Sequence, residues 1–499
     1  MRVIVRALPG QRGALGSHLR RQGNHEIQWE HELIDAFTVM MPLAALPALE
    51  SRPFVASVSL DVAVTTNQSG GGSTGLPYLL RPTLGLDSQS PQGSGVTVAV
   101  LDSGIYPSAD FGNRITAFYD FTQGGIATAP YDDYGHGTHI AGLIGGSGNN
   151  SMGAYAGVAP QVSLVGIKAL DATGAGVTSN VIAALEFAIQ NKSTLHLDVI
   201  NLSLGHPIYE SAATDPLVQA VQSAVAAGIV VVVAAGNYGV NPSTGLPGYG
   251  GISSPGNAPA AITVGSVNLK GTSTRSDDVI NNYSSRGPTW YDGLAKPDLV
   301  AAGYQVIAPA APGSTLAERY PSFLVNGTYM PASYMKLSGT SMAAAVASGV
   351  AALAIQANRP ALFTWRPPIT PNAVKGILEF SALNLNDPAT LGPYDVLTQG
   401  AGGLNAQGVV ALAQSIDTSV PLGQTWLAMA VYPWSTISNE LAVWHQSILW
   451  GNGILWGDTI YVNRSAWSTG VLWGDNVLWG DSILWGDCVE PLNDDRSGR

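Results

Sequence analysis

Between about Tyr78 and Leu412 the chain repeats one device, and that device constrains the fold more than anything else in the sequence. Short, largely apolar runs recur at Val96 to Leu101, Val162 to Ala169, Val199 to Leu204, Ile229 to Ala235 and Ala261 to Val267. Between them lie helical stretches such as Thr178 to Asn191 and Leu217 to Ala227. A strand apolar on both faces is a strand covered on both faces. Alternation with helices then predicts an α/β domain, a parallel twisted sheet with helices on both sides. In such sheets ligands bind beyond the carboxyl ends of the strands. The residues that end or follow the apolar runs are therefore the candidates for chemistry.

Four stretches answer that description. Val98-Ala99-Val100-Leu101-Asp102-Ser103-Gly104 puts a carboxylate at a strand end. Tyr134-Gly135-His136-Gly137-Thr138-His139-Ile140-Ala141-Gly142 puts a histidine at the start of a small-residue helix. Val233-Ala234-Ala235-Gly236-Asn237 ends a buried strand in an amide, which reads either as a turn asparagine or as a donor to an oxyanion. Gly339-Thr340-Ser341-Met342-Ala343 opens a helix, Met342 to Gln356, that is apolar all round and so buried all round. Ser341 there reads as an ordinary helix cap or as a nucleophile among unpaired N–H groups at the positive end of a helix. A carboxylate, an imidazole and a hydroxyl, in the order Asp102, His136, Ser341, are the parts of a nucleophilic triad. His136-x-x-His139 lacks the adjacent glutamate of metallopeptidase helices, so no metal site is read there.

These four blocks, in this order, resemble the subtilisin-like (subtilase) serine peptidases over roughly Tyr78 to Ala413. The resemblance implies a subtilisin-like fold and a serine endopeptidase acting on protein or peptide substrates through an acyl-enzyme, with no cofactor required for catalysis. It implies that Asp102 is the triad acid, His136 the base, Ser341 the nucleophile and Asn237 an oxyanion donor beside the Ser341 N–H. His139 matches a structural histidine. Ser203, Leu204 and Gly205 match the strand that pairs with substrate backbone, and Met152 to Gly157 the strand facing it. The uncharged wall around Ala234-Ala235-Gly236 suggests broad specificity with an apolar P1 residue. Family members often carry structural calcium. No full ligand set is legible here, with Asp110, Asp120, Asp132 and Asp133 the candidates. The family usually has proline where this chain has Ala345; alanine is the better helix former, so the helix is expected to persist.

The flanks divide the chain into an expected prodomain and linker (1–75), a peptidase domain (76–416) and a C-terminal segment (417–499). Residues 1 to about 66 read as a small α/β unit. Strands are expected at Arg2 to Leu8, Ile34 to Met41 and Phe54 to Val64, and helices at Gly13 to Gln22 and Pro42 to Glu50. This unit resembles the family's inhibitor-like propeptide, which implies a zymogen with an intramolecular inhibitor and self-cleavage within Asp61 to Leu76. Thr65 to Gly75 is a polar Gly/Ser linker. Beyond residue 416, Ile448-Leu449-Trp450-Gly451-Asn452 recurs as Ile454-Leu455-Trp456-Gly457-Asp458 and three times more up to Asp487. These Trp-Gly-Asp hexapeptides read as a packing or stalk segment, or as an adhesive surface.

A net charge of −12 excludes a basic nucleic-acid face. The single cysteine, Cys488, allows no internal disulfide. The first residues, Met1 to Arg6, are too short and charged for a signal peptide's apolar core, and no apolar run reaches membrane-spanning length. Secretion or display at the cell surface is expected from the resemblance alone.

Overall fold

The computed structural model describes residues 1–66, 80–241, 243–359, 366–420, 426–450 and 453–456, the last four by backbone only. Most of the Gly/Ser linker and every Trp-Gly-Asp copy after Trp456 lie outside the described residues.

The first unit contains β1 (Arg2–Ala7), α1 (Arg12–Arg21), β2 (Glu26–His31), β3 (Ala36–Met40) and β4 (Val55–Leu60). The strands form an antiparallel sheet in the order β2-β3-β1-β4. Val3, Val5, Leu15, Leu19, Phe37 and Val39 fill its separate core. β2 is an addition to the strands expected from the sequence: only its last residue, His31, is buried. Two residues after β4 the chain extends again as β5 (Ala63–Thr66).

The central sheet has nine strands. Its parallel members are β6 (Thr97–Asp102), β7 (Ile115–Asp120), β8 (Ser163–Lys168), β10 (Leu197–Leu202), β12 (Val230–Ala234), β13 (Ile262–Asn268) and β14 (Leu299–Ala302). They lie in the order β14-β13-β12-β10-β6-β8-β7. Alternate residues face opposite layers, as the pleat requires. On β6, Val98 and Val100 join one core, and Ala99 and Leu101 the other. One layer is built by α2 (His136–Gly145), α5 (Thr340–Asn358), α6 (Pro371–Phe380) and α7 (Ala406–Ser415). The other contains α3 (Thr178–Gln190) and α4 (Pro216–Ala226).

α5 is the central helix; all its residues but Gln356 and Ala357 are buried. It has the length and hydropathy of a membrane span, longer than the apolar run read from the sequence, but 89% of that window lies inside the protein. It runs unbroken through Ala345, as helix propensity predicts. Two further strands, β15 (Val306–Pro309) and β16 (Tyr334–Leu337), pair antiparallel ahead of it.

After α7 the chain stays on the same core. Trp426, Leu427, Ile437 and Trp444 are buried in it. The hairpin β17 (Trp434–Ile437) with β18 (Glu440–Val443) is fixed by Trp444 Nε1 donating to Ser435 Oγ at 2.9 Å. β19 (Ser447–Trp450) and β20 (Gly453–Trp456), which carry the Ile-Leu-Trp of the first two copies, pair antiparallel.

Candidate active site

Asp102 is the last residue of β6 and His136 the first of α2. The two elements touch closely because position 137 is glycine: a Cβ there would stand 2.1 Å from the Gly104 carbonyl oxygen. His136 Nδ1 is 2.8 Å from Asp102 Oδ1, and both side chains are fully buried. The Ser103 N–H also donates to that oxygen, at 2.7 Å. A carboxylate on Nδ1 holds the proton there and leaves Nε2 as the base. His136 Nε2 is buried with no protein partner among the described residues, free to face a reacting group.

Ser341 sits in the first turn of α5, after Gly339. Its hydroxyl donates to the Ser203 carbonyl at 3.0 Å, and the Ser203 hydroxyl donates back to the Ser341 carbonyl at 2.9 Å. Proton transfer to His136 therefore requires the Ser341 hydroxyl to turn from Ser203, a realignment ordinary in sites without a bound transition state.

Asn237 lies three residues beyond the end of β12. Its Oδ1 accepts from Thr340 N and from Thr340 Oγ1, both at 3.1 Å. The Gly236 N–H in turn donates to Thr340 Oγ1 at 3.1 Å. With Oδ1 occupied, the amide orientation is set, and Nδ2 is buried without a partner among the described residues. A buried donor left open in this way suits an oxygen that becomes negative during reaction. Thr340 carries no separate signal in the sequence, lying as it does between Gly339 and Ser341.

β11 (Leu204–Pro207) begins at the expected Ser203-Leu204-Gly205 segment. Met152 to Gly157, however, is not the facing strand. It turns after a short 3-10 helix at Asn149–Ser151, because Met152 and Gly153 both take left-handed φ, 53° and 86°. The facing strand is β9 (Ala175–Val177). Between β9 and β11 lies β5 of the N-terminal unit, antiparallel to both. Val64 opposes Gly176, Thr65 opposes Gly205 and Thr66 opposes Leu204. Thr66 also hydrogen-bonds Tyr134, two residues before His136.

The acidic residues considered for calcium are engaged by protein groups. Asp110 accepts from Tyr334, Asp120 from Tyr131 and Thr122, and Asp132 from Ser103 and Thr138; Asp133 pairs with Lys168. Among the described residues no group of three or more acidic, histidine or cysteine side chains converges as a metal cage.

His139 is structural: its Nε2 lies 3.2 Å from the Val306 carbonyl and 3.0 Å from that of Met335, tying β15 to β16. Nδ1 is buried and unpartnered among the described residues. Burial, and then His136, push its pKa down to about 3. Between that value and the ordinary 6.5 the unfolded chain binds a proton that the folded one does not. Stability is thus complete above about pH 6.5 and declines as pH falls below it. In a Ser341→Ala background, which avoids self-digestion, the denaturation midpoint should fall more steeply from pH 7 to 5 with His139 than with His139→Gln. Equal slopes would show that His139 does not carry this acid sensitivity.

The subtilase family profile matches residues 93–408. The chain is 39% identical to serine protease AprX of Bacillus subtilis over 329 residues, 65% of this chain and 68% of that one. It is 35% identical to subtilisin E of the same organism over 330 residues, 66% of this chain and 72% of the other. Among solved structures, fervidolysin from Fervidobacterium pennivorans, a keratinolytic enzyme related to subtilisin, aligns with a TM-score of 0.61 at 18% identity. That alignment covers 85% of this chain and 62% of fervidolysin, and speaks to fold alone. A family profile that spans more than half of the chain, with relatives at 39% and 35% identity, makes the chain a member of the subtilase family of serine endopeptidases.

Proposed function

We propose that the chain is a self-processing zymogen in which Ser341 is the nucleophile, His136 the general base and Asp102 its partner. Ser341 Oγ attacks the scissile carbonyl as His136 Nε2 takes its proton. Asn237 Nδ2 and the Ser341 N–H receive the oxyanion. The imidazolium then protonates the leaving amine, and water releases the acyl group by the same steps in reverse. Substrate lies as an added strand between β9 and β11, held through its backbone by Ser203, Leu204 and Gly205. Backbone recognition and uncharged walls favour broad specificity, with an apolar P1 residue preferred. The buried Val64, on the strand that lies between β9 and β11, argues for an apolar side chain at a second substrate position as well.

The observation that carries the zymogen reading is β5 in the substrate groove. Thr66, the last described residue of that strand, opposes Leu204, next to Ser203, whose carbonyl accepts from the Ser341 hydroxyl. That end of the groove argues for self-cleavage a short way beyond Thr66, within the span Asp61 to Leu76. Residues 1–75 then act as prodomain and linker, 76–416 as the peptidase domain and 417–499 as a C-terminal segment. Such a latent enzyme fits export from the cell. Mass spectrometry of the expressed chain tests the reading: a new N-terminus a short way beyond Thr66, with casein hydrolysis, is expected. A full-length chain that leaves casein intact would overturn it.

The same segment supplies a second grip. α3 has no cap of its own: Val177 precedes it and offers no side-chain acceptor. Asp61 fills that place, accepting from Ser179 N at 2.8 Å and Ser179 Oγ at 2.7 Å, while the Val62 carbonyl accepts from Thr178 N at 3.0 Å. Asp61 is also paired with Arg2. Hydrogen bonds to a buried carboxylate at a helix N-terminus are worth about 1.5–3 kcal/mol. Asp61→Ala in a separately added 1–66 peptide should therefore weaken inhibition of the processed enzyme about tenfold to a hundredfold. An unchanged inhibition constant would remove Asp61 from the interface.

A further inference from the structure

We propose that Asp132 is a positioning residue for the Asp102–His136 pair, locking the strand end that carries the acid to the helix turn that carries the base. The inference rests on the triad reading above and adds to it a residue that never touches substrate.

Asp132 lies in the loop before α2 and is buried. Both its oxygens are saturated from the two sides of the pair. Oδ1 accepts from Ser103 Oγ at 2.9 Å, Tyr134 N at 3.2 Å and Gly135 N at 2.7 Å. Oδ2 accepts from Thr138 N at 2.8 Å and Thr138 Oγ1 at 2.6 Å. Ser103 is the residue after Asp102, and its own Oγ accepts from the Gly137 N–H at 2.9 Å. A closed loop of hydrogen bonds thus runs from Ser103 through Asp132 to Gly135 and Thr138, and from Ser103 to Gly137. His136 is bracketed on both sides by anchored backbone. The Asp132 backbone also bridges to Gly104.

Burial holds the Asp132 carboxyl's pKa above the ordinary carboxylate value, and the hydrogen bonds from Thr138 and Gly135 pull it only part of the way back. The donors fix both oxygens in place, and a small displacement of a base costs a large factor in rate. The ionisable groups on the packed elements are Asp102 on β6, His136 and His139 on α2, Lys168 on β8, and Asp133 and Tyr134 in the same loop. Lys168 Nζ donates to the Ser103 carbonyl at 2.7 Å, steadying the acid strand from its other side.

The experiment compares wild type, Asp132→Asn and Ser103→Ala in the full chain, supplying processed wild-type enzyme to mature any variant that cannot cut itself and then removing it. Active sites are counted with a covalent serine inhibitor, so that kcat refers to folded molecules. Asp132→Asn should lower kcat about tenfold to a hundredfold with KM within about twofold. Ser103→Ala, which opens the loop on one side only, should lower kcat less, again with KM within about twofold. A reduced melting temperature with unchanged kcat per site would overturn the proposal. Should Asp132→Asn fail to fold, Ser103→Ala decides: kcat per site within twofold of wild type overturns it. Wild type active and Ser341→Ala inactive would keep the triad reading intact whichever way Asp132 falls.

Discussion

Ser341→Ala should yield a folded, full-length protein that cuts neither casein nor its own chain. The expected loss in kcat is on the order of 10⁶, the magnitude known for the nucleophile of subtilisin itself. The substitution removes one oxygen from a first helical turn that is otherwise fixed. Gly339 N donates to the Gly303 carbonyl at 2.8 Å, and the Ser203 hydroxyl still donates to the backbone carbonyl of residue 341. Alanine is also a strong helix former. A folded chain that stays uncut separates lost chemistry from lost structure. Cleavage beyond Thr66 at the wild-type rate would assign the reaction to another group.

Asn237→Ala should cost on the order of 10²–10³ in kcat with little change in KM, again the magnitude known from subtilisin. The physical ground is in this chain. Thr340 occupies Oδ1 with two donors, so Nδ2 has one orientation, and no described residue competes for it. A donor aligned before the substrate arrives loses nothing to reorientation as charge develops. A ground-state carbonyl gains less from it than the oxyanion, so the loss appears in kcat. A comparable loss confined to KM would instead make Asn237 a binding residue. Asn237→Asp tests the sign of the interaction, since a carboxylate there would repel the charge that the amide attracts.

Much of this is legible in the sequence, because it is written in local patterns. The apolar runs ending at Asp102, Leu204 and Ala235 declare buried parallel strands, and the four blocks declare the chemistry. The parts that are not legible lack such a pattern. β9 is three residues, Ala175-Gly176-Val177, after a turn, and becomes a strand only because β5 lies beside it. The edge strand β2, Glu26-Ile27-Gln28-Trp29-Glu30-His31, buries so little that its alternation is masked by charge. Met152 to Gly157 misleads because its composition suits an extended wall, whereas two left-handed residues at its start turn the chain. Thr340 and Asp132 act through contacts with residues distant in the chain or across a turn, and neither residue type announces that.

The strand in the groove and the sheet behind it are one continuous piece, for only Asp61 and Val62 separate β4 from β5. On the zymogen reading proposed above, a cut beyond Thr66 leaves the pairing of β5 with β9 and β11 in place and changes only the number of molecules. Before such a cut, the groove would face its blocking strand at the effective concentration of a tether, on the order of millimolar. After it, occupancy would follow the ordinary dilution of two separate chains. Latency would thus become a function of how crowded the protein is, the processed enzyme being silent where it is made densely and awake where it is dispersed. Free prodomain would be a substrate for the first molecules to wake, so the transition should accelerate as it proceeds.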